Sequence, residues 1–288
     1  SNWELDFGVD FENKARFRIN IYRQKNSLAA AFRLIPMVIR SIESLGLPTT
    51  VSRISDLKQG LVLVTGPTGH GKSTTLAAFI NQINNTRNTH VITIEDPIEY
   101  VYPPGRSLIS QRELNSDTKS WSNALKAALR EDPDVVLIGE MRDLETISSA
   151  MTIAETGHLV FATLHTNSAA QTVDRIIDVF PEKQQYQIRT QLAAVIEAII
   201  AQRLVPTYTP GRVLATELLF GSPALRNLIR EGKTHLIDNL IQTSGELGMM
   251  NLETSLSILV REGKITSITA QNYALRPALL NKLLGVST

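Results

Sequence analysis

Residues Gly60 to Thr75 read GLVLVTGPTGHGKSTT, with Gly66, Gly71, Lys72 and Ser73 at the required places of the pattern G-x-x-x-x-G-K-[ST]. Gly66, Gly69 and Gly71 let the backbone bend and approach a ligand, so that successive N–H groups and a helix N-terminus can face an anion. Lys72 can then reach the outer phosphates of a nucleotide, and the Ser73 hydroxyl can ligate Mg²⁺. Gly66, Thr68, Gly69, Gly71, Lys72, Ser73 and Thr74 therefore form the candidate ATP-binding set. The plainer reading is a glycine-rich strand-to-helix turn with an incidental lysine. The flanks argue against it: Leu61 to Val64 is a continuous apolar run suited to a strand buried on both faces, and the chain from Lys72 onward reads as the opening of a helix.

Hydrolysis of a phosphoanhydride asks for a phosphate cradle, a metal, an acid to orient water and cations for the transition state. Val135 to Ile138 followed by Gly139-Glu140 resembles a Walker B strand delivering an acid to a sheet edge. Glu stands there in place of the usual Asp, so Glu140 is expected to act on Mg²⁺ directly or through water. TIEDPIEY from Thr93 sets Glu95, Asp96 and Glu99 within five residues, with Pro97 restricting the backbone between them. Spacing alone leaves Glu95 and Glu99 as alternative bases, against the plainer reading of an acidic surface turn. His158 and His165 bracket an apolar run, Leu159 to Leu164. Seven residues apart on one strand they point to opposite faces, which disfavours a shared zinc ion. Arg16, Arg18, Arg23 and Arg33 crowd the first segment, ordinarily a basic exposed strand, while the main domain has few arginines near the loop; a transition-state cation is therefore expected from elsewhere.

The elements that must position these residues follow from periodicity. Leu5 to Val9 and the alternation at Phe17, Ile19 and Ile21 predict antiparallel strands with a turn at Glu12-Asn13-Lys14, and Ile39 to Leu45 is expected to be helical. From Gly60 short apolar runs alternate with helices: strands at 61–64, 91–94, 135–138 and 159–164, and helices after Lys72, over 120–130 and around Ala150. That is the signature of a parallel sheet, whose carboxyl edge binds ligands. Leu204 to Phe220 predicts a hairpin, and the chain beyond Ser222 is largely helical. The expected division is 1–46, a linker 47–59, an α/β ATPase domain 60–221 and a helical region 222–288.

The 288 residues carry 29 Lys and Arg against 28 Asp and Glu, a net charge of +1, which offers no global attraction to nucleic acid. Cysteine is absent, which removes disulfides, thiolate zinc sites and cysteine nucleophiles. With no apolar run long enough to span a bilayer and no secretory signal, the chain is expected to be soluble and intracellular. Ser1 and Asn2 read as a cloning remnant, and the chain is expected to begin inside a domain.

GPTGHGKSTT, TIEDPIEY, ALREDPDVVLIGEMRDLET from Ala128 and AETGHLVFATLHTNSA from Ala154 resemble, in order, the Walker A, Asp, Walker B and His boxes of the type II secretion and type IV pilus ATPase superfamily. RVLATELL from Arg212 and ALRNLIRE from Ala224 resemble its PilT-like pilus retraction branch. The resemblance implies that Lys72 and Ser73 bind ATP and Mg²⁺, that Glu99 is the base, that Glu140 is the Walker B acid, and that His158 and His165 belong to a coupling box. It implies that Arg18 and Arg33 reach a neighbouring subunit's nucleotide. The implied fold is a partial PAS-like α+β domain, then a RecA-like P-loop ATPase domain with helical C-terminal elements. The implied assembly is a homo-hexamer at the cytoplasmic face of the inner membrane, peripheral through partners: a pilus platform protein and a paralogous ATPase. His70 stands where such loops commonly have Ser, at one of the pattern's free positions. The competing expectations are a secretion or pilus-extension ATPase, a nucleic-acid motor and a nucleotide-binding regulator without turnover. Near-zero net charge and the lack of an aromatic-basic stretch oppose the second, and the presence of Lys72, Glu99 and Glu140 opposes the third.

Overall fold

The computed structural model describes residues 4–12 and 15–285. The turn expected at Glu12-Asn13-Lys14 falls partly outside these, as do Ser1 and Asn2 entirely.

Strands β1 (Glu4–Phe11), β2 (Ala15–Gln24) and β3 (Ser27–Ile35) form an antiparallel sheet in that order. Its register sets Arg18 directly opposite Arg33. The helix expected over 39–45 is reduced to one 3-10 turn, Glu43–Leu45, ended by Gly46 in the left-handed region at φ 75°. Pro36 and Gly46 bound the segment at its two ends. The 47–59 connector is no loose tether. It carries a 3-10 helix, Thr49–Asp56, whose Val51 and Ile54 are buried in the main core.

The remainder runs β4 (Gly60–Thr65), α1 (Lys72–Thr86), β5 (His90–Glu95), β6 (Leu108–Glu113), α2 (Trp121–Ala128), β7 (Val135–Ile138), α3 (Leu144–Glu155), β8 (Leu159–Leu164), α4 (Ala169–Asp178), α5 (Glu182–Val195), β9 (Ile196–Pro206) and β10 (Arg212–Phe220). The seven strands lie in the order β10-β9-β4-β8-β7-β5-β6, all parallel except the β9–β10 hairpin. The fold is therefore α/β with a mainly parallel sheet, as expected. β4, β7 and β8 are buried throughout, which is why their sequences are unbroken apolar runs. Phe79 of α1 stacks on Phe161 of β8 at 5.7 Å between centroids, tying the loop's helix to the sheet centre. Side-chain caps set the starts of α2 (Ser120), α3 (Asp143 with Thr146) and α4 (Ser168).

Helices α6 (Pro223–Arg230), α7 (Ile237–Thr243), α8 (Leu252–Arg261), α9 (Ser267–Tyr273) and α10 (Pro277–Leu284) follow. Leu225, Ile229, Ile237 and Ile241 join the main core, whereas Leu252, Leu256, Leu259, Ile265, Ala270 and Leu280 form a second apolar cluster with Val205 and Ala215 of the hairpin. The helical region expected over 222–288 is thus shared between two apolar clusters.

Candidate active site

A parallel sheet delivers the carboxyl ends of its strands to one edge, and the chemistry-bearing residues collect there. β4 runs into the glycine loop, β5 ends at Glu95, β7 leads through Gly139 to Glu140, and β8 leads to His165. α1 begins at Lys72 behind Gly71, which lies in the left-handed region at φ 85°, offers no side-chain cap and is followed by no acid in the first turn. The first-turn N–H groups therefore keep their capacity for an external anion. Gly66, at φ 139°, packs so closely on the Gln202 carbonyl that a Cβ there would collide with it.

A cleft of about 280 Å³ is lined by Thr68, Gly69, Gly71, Lys72, Ser73 and Thr74 from the loop, by Glu95, Asp96 and Glu99 after β5, by Glu140 and Arg142 after β7, and by His165. Arg18 and Arg33 line it too. Lys72 is buried and donates to the carbonyls of Gly66 at 2.9 Å and Pro67 at 3.2 Å. Burial pushes its ammonium down from the usual range, against the raising fields of Glu140 and Glu99. Its Nζ also lies 3.3 Å from His165 Nδ1. An ammonium can only donate, so Nδ1 accepts and the imidazole proton resides on Nε2, 3.3 Å from Glu140 Oε1. Arg142 Nε holds the other Glu140 oxygen at 2.8 Å. Lys72, His165, Glu140 and Arg142 thus form one polar chain lining the cleft.

Glu99 faces Arg18 NH1 at 3.8 Å. Behind it Glu95 receives the Thr93 hydroxyl at 2.7 Å and the Glu99 backbone N–H at 3.3 Å. Burial pushes the Glu95 carboxyl up to about 7, with the hydrogen bonds from Thr93, Glu99 N–H and Gln111 opposing. Glu95 thus lies behind Glu99 and accepts its backbone N–H. The Tyr100 hydroxyl lies 2.9 Å from Thr74 Oγ1 and joins this acidic loop to α1.

The resemblance directs Arg18 and Arg33 to a neighbouring subunit; in the structure both line the cleft of their own chain. The small sheet is seated over the site by Arg16, whose Nε donates to the Ile98 carbonyl at 3.1 Å. Opposed like charges on adjacent strands repel, and Asp6 offsets this by accepting from Arg18 NH2 at 2.6 Å. That hydrogen bond raises the guanidinium further above its usual range. His158 stays apart: it precedes β8 at the far end of the strand from His165, with Nδ1 3.0 Å from the Ile153 carbonyl. His70 occupies no idle position, since its Nδ1 accepts from Leu204 N–H at 3.0 Å. The sequence reading singles out neither Arg142, which lines the cleft, nor Tyr100, which braces Thr74. Arg142 had a signal in its place two residues after Glu140, whereas nothing local marks Tyr100 as a partner of Thr74.

Chemically the cleft offers backbone N–H groups and a buried lysine for phosphates, two guanidinium groups, and hydroxyl and carboxylate oxygens from Ser73, Glu99 and Glu140. Among the described residues no group of three or more His, Asp or Glu could hold a metal by itself. An oxygen-only donor set of this kind suits a hard cation that shares its ligands with phosphates.

Residues 12–212 match the family model described as type II/IV secretion system protein. The chain is 50% identical, over 95% of its length and 80% of the relative's, to the type IV pilus retraction ATPase PilT of Pseudomonas aeruginosa. It is 52% identical, over 95% of its length and 73% of the relative's, to a twitching motility protein of Neisseria gonorrhoeae. Among solved structures, the pilus retraction motor PilT with bound ADP superposes with a TM-score of 0.91 at 48% identity, covering 98% of this chain and 80% of that one.

Proposed function

The chain belongs to the type II/IV secretion system protein family, and from that premise we propose that it is an ATP-hydrolysing hexameric motor that drives type IV pilus retraction. One observation carries the reading: an uncapped helix N-terminus with a buried lysine is set in the same cleft as Glu99, Glu140 and two arginines. Retraction rather than secretion or extension is favoured by two relatives matched along 95% of the chain, a retraction ATPase and a twitching motility protein. ALRNLIRE falls on α6, with Leu225 and Ile229 turned into the core and Arg226 paired to Glu197.

In this reading the first-turn N–H groups of α1 and Lys72 hold the β- and γ-phosphates. Ser73, with Glu140 directly or through water, would hold Mg²⁺, which supplies charge neutralisation on the phosphates when bound. Glu99 orients the attacking water and accepts its proton. Glu140, held between His165 Nε2 and Arg142, stays aimed at the phosphate edge, and His165 relays its position to Lys72. Arg18 and Arg33 neutralise charge developing on the transferred group. His158, outside the cleft, belongs to the coupling box and not to the chemistry. No helix among the described residues is long and apolar enough to cross a membrane. In this reading the motor works at the cytoplasmic face of the inner membrane through partners, a pilus platform protein and a paralogous ATPase.

The test is steady-state ATP hydrolysis with Mg²⁺ against protein concentration, with oligomer size followed by light scattering in the same samples. A rate per subunit that rises as hexamers form, and is abolished in Lys72→Ala, supports the motor. Absence of hydrolysis in every oligomeric state would move the protein to the class of nucleotide-binding regulators.

A further inference from the structure

β4 and β9 run side by side but end at different heights. β4 stops at Thr65, paired with Ala201, whereas β9 continues to Pro206. Beyond Ala201 the edge of β9 that β4 covered has no strand beside it, and its polar groups need other partners. The phosphate loop provides them. Leu204 N–H donates to His70 Nδ1 at 3.0 Å, and the Gln202 side chain, itself buried, donates from Nε2 to the His70 carbonyl at 2.8 Å. Gly66 lies flush on the Gln202 carbonyl, and a Cβ at Gly71 would stand 3.3 Å from Gln202 Nε2. Both fastenings of the loop to β9 are made by His70, between Gly69 and Gly71. One fastening is an imidazole at a position that the phosphate-loop pattern leaves free.

We infer that His70 is a positioning residue for nucleotide: through its Nδ1 lone pair it takes the place of the missing turn of β4, holding the loop on β9 so that the Gly69–Gly71 backbone faces the phosphates. This deepens the proposed function and rests on that reading of the site. The surroundings keep the lone pair free. Burial, Arg203, Lys72 and Arg212 all push the imidazole below its usual pKa and so favour the neutral ring, and the N–H of Leu204 fixes the lone pair on Nδ1. The same level of the hairpin, at Val205 and Ala215, is gripped by the second apolar cluster. The loop is therefore referenced to a strand anchored from its other side.

The experiment compares wild type, His70→Asn, His70→Ala and Gln202→Leu for equilibrium binding of a fluorescent ADP analogue and for steady-state ATP hydrolysis, with thermal melts of each. Losing one hydrogen bond to a partly buried N–H should weaken ADP binding and raise KM for ATP about fivefold in His70→Ala, with kcat nearly unchanged. His70→Asn carries an amide oxygen where Nδ1 stood and should return to within about twofold of wild type. Gln202→Leu, which cuts the other fastening, should weaken ADP binding in the same sense. The inference is overturned if His70→Ala binds ADP as wild type does, or if His70→Asn is as weak as His70→Ala, which would assign the effect to ring bulk. Should His70→Ala fail to fold, unchanged binding by Gln202→Leu overturns it. Wild-type protein that binds no ADP overturns the nucleotide reading and this inference together.

Discussion

Arg276, the residue before α10, is the side chain whose removal should be felt most widely. Its NH2 lies 2.8 Å from Glu217 Oε2 on β10 and 3.0 Å from Glu253 Oε2 on α8, and its NH1 lies 2.7 Å from Asp238 Oδ2. Glu217 and Glu253 are 1% and 0% exposed, so the two carboxylates rely on this one cation. Each has backbone support as well: Glu217 accepts from Ala169 N–H at the start of α4, and Glu253 from the N–H groups of Leu275 and Arg276. Arg276→Met keeps the apolar stem and deletes the charge. Removing one partner of a buried pair costs about 3–5 kcal/mol, and because Arg276 retains some solvent contact the lower end, about 3 kcal/mol, is expected. For a chain of this size that is a fall of about 6 °C in Tm. The pH dependence follows by linkage. Burial already raises the Glu217 carboxyl in the intact protein, with Arg276 opposing, and loss of the cation raises it further. A carboxyl whose folded pKa exceeds its unfolded one makes stability fall as pH rises through that interval. The loss measured by urea unfolding should therefore be largest at alkaline pH and shrink as the solution is made acidic. Glu217→Gln in the Arg276→Met background should restore stability while keeping an oxygen for Ala169 N–H. A loss below about 1 kcal/mol, or one independent of pH, would refute the claim that the cation holds two buried charges.

Three further outcomes follow from the cleft. Glu99→Gln should bind ADP as tightly as wild type while hydrolysing ATP at least about 100-fold more slowly, as expected for loss of a general base; a normal rate would transfer the role to Glu95. Arg18→Ala should lower kcat with nucleotide affinity spared, while giving up the Asp6 ion pair within the small sheet; unchanged turnover removes Arg18 from the transition state. Glu95, with its carboxyl pushed up to about 7 against about 4.5 in the unfolded chain, should make stability fall as pH rises between those values. Glu95→Gln should flatten that slope in urea midpoints, and a slope parallel to wild type would show that another group titrates there.

The half of the site that lies on strand ends was legible before any coordinates. Continuous apolar runs announce buried parallel strands, and parallel strands leave their carboxyl ends no choice of edge. The loop, Glu99, Glu140 and His165 therefore had to converge once β4, β5, β7 and β8 were recognised. β6 escaped because Leu108–Glu113, LISQRE, is a sheet-edge strand with little apolar content. The helix expected over 39–45 failed because its apolar residues reach the core without regular backbone: Ile42 is buried although it lies outside any α-helix.

What stayed hidden shares one property, distance along the chain. His70 meets Leu204 across 134 positions, and Arg276 meets Glu217 across 59. No periodicity or local motif encodes such a meeting, because each residue alone is compatible with a solvated surface. Arg18 is the instructive intermediate. Its strand, its neighbours and its opposition to Arg33 follow from a local hairpin register, yet its distance to Glu99 depends on how a separate antiparallel sheet docks over the cleft through Arg16. Variants of Lys72 and Glu99 accordingly test residues that the sequence placed, while variants of Arg18, His70 and Arg276 test the docking of one element on another. If the first group behaves as expected and the second does not, the error lies in how the parts are assembled and not in the chemistry assigned to them.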